Sequence, residues 1–537
     1  MRRAALVPTL AIAALFAFVP GVAAIGPGGW DHLGHGATAT TPSLDGTVYA
    51  LNADEPGLLL VGGNFTTAGG NTNANQIATW NGSAWGALGT GIGNGSVLAI
   101  AYHAGKVYAG GTFTNAGGKA DADFLAVWDG VAWGPYCNAT GPAFGGTVLA
   151  LQVIGNTLYV GGAFQNGAGI DAADYLLACD LTTGASSSTV PNDGDMSGSV
   201  YALTADSNGI LYAGGQFINA ATIAAADRVA AYDGTWHAMG AGGGTGGGAV
   251  DSYVRGLTAS GTRVYIGTDS SNVSGIENAD HVAGWDGSAW SAVGANTTGT
   301  NGWFTTTTFI NALVTSGSNV FAAGSFQNAN GVATADNIAY FDGVTWRPIG
   351  SNGAAILNGP FPGANISALA VFKDKVYASG TFTSAGGDTL ARSIAAYALK
   401  LPDARIGTAS TGPWTGNAIY SATGAGESRT QYVSKSHSVT YYANFQNDGL
   451  VATAFTIKGT GSATGYSVKY YGGATNVTTE VKAGTYSTGF IAARSSYTLK
   501  VVVTRGTSTA SSATYLVKAT SVAGTPADAV KVITKAK

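Results

Sequence analysis

Apolar and β-branched residues run along this chain in short bursts separated by Gly, Asn and Asp, and the bursts recur. Lys106-Val107-Tyr108-Ala109-Gly110-Gly111-Thr112-Phe113 returns as Leu58 to Phe65, Leu158 to Phe164, Leu211 to Phe217, Val264 to Ser270, Val320 to Phe326 and Val376 to Phe382. The last residues of these seven copies are 48, 51, 53, 53, 56 and 56 positions apart. A second burst follows most copies: Trp80 to Trp85, Trp128 to Trp133, Tyr232 to Trp236, Trp285 to Trp290 and Phe341 to Trp346. The third copy is degraded to Cys179-Asp180-Leu181, and the seventh stops at Tyr397. Each unit predicts four short strands: a Val-x-Ala-Leu piece (as at Val48 to Leu51), Val-Tyr-x-Gly-Gly, Ile-Ala-x-Trp and Trp-x-x-Leu-Gly. β-Branched and aromatic residues between Gly/Asn/Asp turns favour strand. No segment keeps a long 3.6-residue apolar period, so helix has little support.

A four-stranded unit of this size cannot bury both faces alone, whereas units packed face to face in a ring bury each other. The seventh unit lacks its last strand, and Trp30-Asp31-His32-Leu33-Gly34 supplies that motif at the other end of the chain. The pattern therefore predicts an all-β chain. Residues 25–402 form a seven-bladed β-propeller closed by the N-terminal strand, with about 53 residues per blade. The double glycine and the later aromatic-Asp-Gly…Trp resemble a kelch-type repeat, similar to the propellers of the galactose-oxidase superfamily, over roughly residues 30–400. Copper oxidases of that superfamily imply a Tyr/His metal site with a Tyr–Cys crosslink. No local match to it occurs, so no catalytic residue is carried over.

Beyond Leu401-Pro402-Asp403 the texture changes to Thr, Ser, Tyr and Val. Alternating runs at Ser438 to Phe445, Ala454 to Lys458, Tyr466 to Tyr471 and Tyr497 to Thr504, with a turn at Asn447-Asp448-Gly449, predict about seven strands. An Ig-like β-sandwich over 403–537 is expected. Ser438 to Gly449 resembles the start of Ig-like modules of bacterial surface proteins. At the other end, residues 1–24 read as a signal peptide: Arg2 and Arg3, an apolar run Ala4 to Val19, and a small-residue site Val22-Ala23-Ala24. The rival is an uncleaved anchor, but the run is shorter than the ~20 residues a span needs. A secreted or cell-surface location is expected, with no transmembrane span in the mature chain.

Charge separates the two parts. After residue 402 there are 13 basic and 5 acidic residues, a net +8; residues 25–402 carry 10 basic and 24 acidic, a net −14. The acidic part argues against nucleic acid. The basic part can meet an anionic cell-surface polymer, or its lysines are solvated faces and edge guards. Glycine, at 82 residues, sits at repeat positions and loops, which fits turn-dense β structure.

Candidate chemistry is sparse. Asn75, Asp123, Asp174, Asp227, Asp280 and Asp336 recur five residues before the third-strand aromatic, with Arg392 in the last unit. They read as calcium ligands or, better, as turn-closing Asx side chains. Cys137 and Cys179, the two cysteines, suit a disulfide in an exported protein, or Cys179 is a small buried hydrophobe. His32-x-x-His35 is the one close histidine pair and lacks a third local ligand, so no metal site and no cofactor is expected. The connections 241–251, 295–308 and 351–365 vary most, and Trp303, Phe304 and Phe361 in them are candidate ligand contacts or local plugs. These features point to a non-catalytic binding or adhesion protein for an extracellular glycan or protein. The alternatives are a carbohydrate-active or copper-oxidase-like enzyme, whose carboxylates can converge from different blades, and a structural envelope or matrix component.

Overall fold

The structure is a computed structural model. It describes residues 29–137, 144–189, 196–240, 247–296, 301–304, 309–352, 359–417, 419–521 and 527–537. The leader expected at 1–24 lies outside the described residues. The chain divides into two compact units, Met1–Ala396 and Tyr397–Lys537. Among the described residues, no helix is long and apolar enough to cross a membrane.

Among the described residues strand dominates, and the strands of the repeat form seven four-stranded sheets. We number them 1 to 7 by their first strands: Val48–Asn52, Val97–His103, Val148–Ile154, Val200–Ala205, Val254–Ser260, Phe309–Ser316 and Ile366–Phe372. Sheet 2 is typical, its first strand followed by Lys106–Gly111, Leu125–Trp128 and Trp133–Pro135, each antiparallel to the one before. Sheet 7 takes its fourth strand, Trp30–Asp31, from the start of the described chain; it lies beside Ile394–Ala398, which holds Tyr397. First strands touch those of the next sheet all along the series, and the first strand of sheet 1 also touches that of sheet 7.

The glycine pair explains this packing. A Cβ on Gly111 would collide with the Ser96 carbonyl, which lies close because the first strand bulges between Val97 and Ala99. A Cβ on Gly110 would collide with Val148 of the next sheet. The first glycine therefore admits the neighbouring sheet, and the second admits the bulge.

The fourth-strand tryptophans fasten one sheet to the previous one. Trp133 Nε1 donates to the Leu88 carbonyl at 3.0 Å, and Trp30 Nε1 donates to the Ile349 carbonyl at 3.2 Å. Trp85, Trp290 and Trp346 do the same to Leu33, Met239 and Val293. Trp30 and Leu33 thus take the roles in sheet 7 that Trp133 and Leu88 take elsewhere. Trp236 is the exception: its buried Nε1 has no partner among the described residues. The sheet before it, sheet 3, has the degraded motif and ends in Ser186–Ser187.

Between sheets 2 and 3 a different fastener replaces the indole. Cys137 and Cys179 form a disulfide, with Cα atoms 5.8 Å apart. Cys137 occupies the glycine position of Trp-x-x-Leu-Gly and keeps its left-handed backbone, φ 66° against 63° at Gly89. Cys179 occupies the third-strand aromatic position. In sheets 1 and 2 the corresponding pair is Gly89 lying against the Trp128 ring. The repeat's glycine–aromatic contact has become a covalent one.

The recurrent aspartate closes a loop. Asp123, Asp174, Asp227, Asp280 and Asp336 each accept the amide N–H of the asparagine eight residues earlier, at 2.6–2.8 Å. Those asparagines have φ between 46° and 54°, the left-handed region asparagine tolerates. The second oxygens of Asp280 and Asp336 accept Gly302 and Gly359 amides. Each of the five carboxylates thus closes a turn through a backbone amide, as the Asx reading expects.

Two ion pairs hold the N-terminal segment on sheet 7. His32 Nδ1 meets Asp388 Oδ2 at 2.6 Å, and Lys375 Nζ meets Asp31 Oδ2 at 3.2 Å. The hydrogen bond to Asp388 raises the His32 pKa against the opposing effect of burial. Burial pushes the Asp388 carboxyl up, but hydrogen bonds from His32 and the Leu390 amide hold it below the ordinary range. Burial also raises Asp31, against Lys375. The His35 ring packs 4.9 Å from that of His32. The raised His32 pKa gives stability present below its unfolded value, about 6.5, and lost as pH climbs through the folded value. Asp388, depressed, contributes above about pH 4 and loses its contribution as pH falls; raised Asp31 acts oppositely at that acid end. Melting wild type and His32→Gln side by side should therefore show the largest gap near pH 5 and convergence above the raised His32 value. A gap that widens with pH contradicts this latch.

Among the described residues the second unit holds ten strands in two five-stranded sheets, against the roughly seven expected. One sheet runs Pro402–Gly407, Ser438–Asn447, Ser496–Arg505, Tyr466–Gly472, Thr475–Asn476; the other runs Ser428–Val433, Ala527–Ala536, Ser512–Ser521, Thr453–Gly459, Tyr486–Ile491. Among the described residues the Ser428–Val433 and Ala527–Ala536 pair is parallel, and the other strand pairs of these sheets are antiparallel. Tyr441, Phe445, Leu499 and Val501 from one sheet meet Phe455, Ile457, Tyr515 and Val517 from the other in one core. Period-two alternation produces it: the polar residues of Tyr466–Gly472 face out while Tyr466, Val468 and Tyr470 are buried.

Candidate functional site

Trp303, Phe304 and Phe361 do not offer free faces. They are 3, 4 and 0% exposed. Trp303 stacks on Trp346 at 6.0 Å, Phe304 meets Phe326 edge-on at 5.1 Å, and Phe361 packs 4.6 Å from both Trp30 and Phe382. They are plugs that seat each connection on the next sheet, as Phe144 does against Phe164. Of the two readings the sequence offered, ligand contact or local plug, this burial fits the plug. The signal was present in the repeat: Leu44, Ile92, Met196 and Val250 are buried apolar residues at similar places before the first strand. Parts of the three variable connections lie outside the described residues.

An exposed aromatic group stands instead at the end of sheets 4 to 6 where the first strands begin. Tyr253, immediately before the first strand of sheet 5, is 38% exposed, and Phe309, opening that of sheet 6, is 46% exposed. Arg255 lies between them, its guanidinium carbon 5.6 Å from the Tyr253 ring centre and 5.4 Å from that of Phe309. Asp269, at the end of the neighbouring strand, orients Arg255 through Nε at 2.8 Å and Nη2 at 2.8 Å. That bond raises the arginine's pKa against burial. Arg228 covers the same Tyr253 ring at 5.5 Å, and Tyr201 meets it edge-on at 6.2 Å. Tyr201 in turn donates to Gln216 Oε1 at 2.6 Å.

The scaffold explains how these side chains converge. Tyr201 and Arg255 hold the second position of successive first strands. Gln216 and Asp269 follow the glycine-pair positions of the second strands. Arg228 holds the left-handed residue before a third strand, φ 65°, matched by Gln76, Phe124, Tyr175, His281 and Asn337 at 59–64°. Backbone geometry at these positions is constant while the side chain changes, which is how a repeat protein varies its recognition surface. Sequence reading looked to the long connections and missed these strand-end positions. Two polar hollows border the sheets elsewhere: one holds Asp45, Asn64, Thr381 and Arg392 between sheets 1 and 7, the other Asn52, Asp54, His103 and Gln152.

The second unit carries a different cluster. Asp403, Glu427 and Asp528 offer carboxylate oxygens that lie within 4.8 Å of one another, and all three residues are 0% exposed. Asp528 is well supplied with donors: its oxygens accept the amides of Ala404 and Ser421 at 2.6 Å and of Ala529 at 2.9 Å. Arg405 Nε stands 3.8 Å from Asp403 Oδ2. Neither oxygen of Glu427 has a hydrogen-bond donor among the described residues. Burial, reinforced by Asp528, pushes the Glu427 carboxyl well above the carboxylate range. Burial pushes Asp528 up as well, its amide donors opposing. The sequence separation of the three, 24 and 101 residues, hid this group from any search for local ligand spacing.

No protein-family model matches the chain, and no curated protein matches it. Among solved structures, one described as "Structure of Vibrio cholerae VesB protease" aligns at 14% identity over 20% of this chain and 30% of that chain, with a TM-score of 0.14. At that score the alignment carries no weight for fold or activity.

Proposed function

We propose that the chain is an exported, non-catalytic binding protein for an extracellular glycan, with Tyr201, Arg228, Tyr253, Arg255 and Phe309 as its contact surface. The observation that carries this reading is the convergence, from three consecutive sheets, of partly exposed aromatic rings and two guanidinium groups. Flat rings stack on the apolar faces of sugars, and arginine donors serve hydroxyl or carboxylate groups at their edge. In the fold that goes with it, the seven sheets are blades of a closed, kelch-like propeller, and the second unit is an Ig-like sandwich. The continuous series of first-strand contacts, returning from sheet 7 to sheet 1, supports the closed ring. The disulfide supports an oxidising, extracellular compartment. The basic surplus of the second unit suits attachment to an anionic surface polymer.

The test is binding of the purified chain to neutral and anionic polysaccharides by titration calorimetry. Tyr253→Ala and Phe309→Ala should each weaken a bound glycan by about tenfold or more while leaving melting nearly unchanged, because both rings are part-exposed. Glycan binding that survives both substitutions moves the site elsewhere. Failure to bind any glycan, with capture of a purified surface protein sensitive to the same substitutions, assigns this face to protein instead.

A further inference from the structure

We infer that Asp403, Glu427 and Asp528 form a calcium-binding site that ties the two sheets of the second unit together. Asp403 lies on Pro402–Gly407 of one sheet, Asp528 lies on Ala527–Ala536 of the other, and Glu427 immediately precedes Ser428–Val433 beside it. Three fully buried carboxyl groups stand together, with the Arg405 guanidinium 3.8 Å from Asp403 and no donor on Glu427 among the described residues, so ionising all three concentrates negative charge in the interior. Such a charge is costly unless a counter-ion or a proton neutralises it.

Glu427 decides which. A carboxylic acid kept neutral by a proton still has an acceptor oxygen to satisfy, and a buried one normally finds a donor. Both Glu427 oxygens are buried without a donor from any other group, and they face the Asp528 carboxyl, so either one proton shared between the two carboxyls or a cation must separate them, and a shared proton still leaves the other Glu427 oxygen without a donor. A cation between them satisfies both at once. The donor set is entirely carboxylate oxygen, with neither histidine nor cysteine, which selects a hard cation over zinc or copper. Oxygens spread over a few ångströms suit calcium, whose bonds of about 2.4 Å bridge such a spread; magnesium demands bonds near 2.1 Å and strict octahedral geometry. The Asp528 amide donors fix one ligand in place before the ion arrives, and the hydrogen bond from the Lys531 amide to the Glu427 carbonyl, 2.8 Å, fixes the backbone of another.

The experiment uses the full chain, stripped with chelator and titrated with calcium chloride. One calcium per chain should bind, and about 1 mM calcium should raise the melting temperature of the second unit by several degrees. Glu427→Gln should abolish both effects. Glutamine keeps the size of the side chain and can still donate to Asp528, so the variant should fold; if it does not, elemental analysis of wild type as purified and the chelator-sensitivity of its melting decide instead. No saturable calcium binding in wild type, or binding unchanged in Glu427→Gln, overturns the site and leaves proton sharing within the cluster. Magnesium matching calcium at equal concentration overturns the choice of ion.

Discussion

Trp30→Ala should destabilise the first unit by about 3–5 kcal/mol, the largest loss expected from any single truncation in it. The ring is fully buried, packs 4.6 Å from Phe361 and donates to the Ile349 carbonyl of sheet 6. Its loss opens a cavity and removes a buried hydrogen bond, and it does so in the short strand that completes sheet 7. Urea unfolding followed by tryptophan fluorescence measures it. Two controls separate the indole bond from the ring volume. Trp133→Phe keeps most of the volume and loses the bond to Leu88, and should cost about 1–2 kcal/mol. Trp236→Phe should be close to neutral, because its Nε1 has no partner to lose among the described residues. Equal losses at Trp133 and Trp236 would contradict the fastening role of the indole.

Cys179→Ser should cost about 4 kcal/mol from the chain-entropy estimate for a crosslink across 42 residues. Reduction of wild type should lower the melting temperature to a similar degree. The informative variant is Cys137→Gly with Cys179→Trp, which restores the glycine–aromatic pair that Gly89 and Trp128 make one sheet earlier. Each change alone removes the bond and installs nothing. Together they should recover part of the loss, so the double variant should be more stable than either single one, both of which already lack the bond. A double variant no more stable than Cys137→Gly alone would mean that the two positions do not inherit the repeat's contact.

The repeat was legible because each sheet depends on the same few steric facts. A glycine is needed wherever a neighbouring sheet or a bulged strand comes too close for a Cβ, so Gly110 and its equivalents recur in register. The displaced Trp30-Asp31-His32-Leu33-Gly34 motif was legible for the same reason, since its partners at Ile349 and in Trp85 need the same groups. The second unit was legible only as alternating strand. Its short strands, such as Thr475–Asn476, and its Thr/Ser-rich Tyr486–Ile491 carry weak patterns, which is why seven strands were expected and ten are found. The aromatic group at Tyr253 escaped because it is assembled across sheets from positions that look ordinary within each copy. Long connections drew attention to Trp303 and Phe361, yet a bulky ring beside a strand start is worth more as buried area than as a waiting contact. The carboxylate cluster escaped because only tertiary folding brings Asp403 and Asp528 together.

The first-strand contacts give the first unit seven seams, each between two neighbouring sheets. Five are stitched by an indole and one is riveted by sulfur. The seam between sheets 3 and 4 has neither among the described residues, and the unstitched Trp236 sits on it. Sheets 3 and 4 should therefore part first: limited proteolysis of the folded chain should cut beside Trp236 before it cuts beside Trp30, and the reverse order would contradict this.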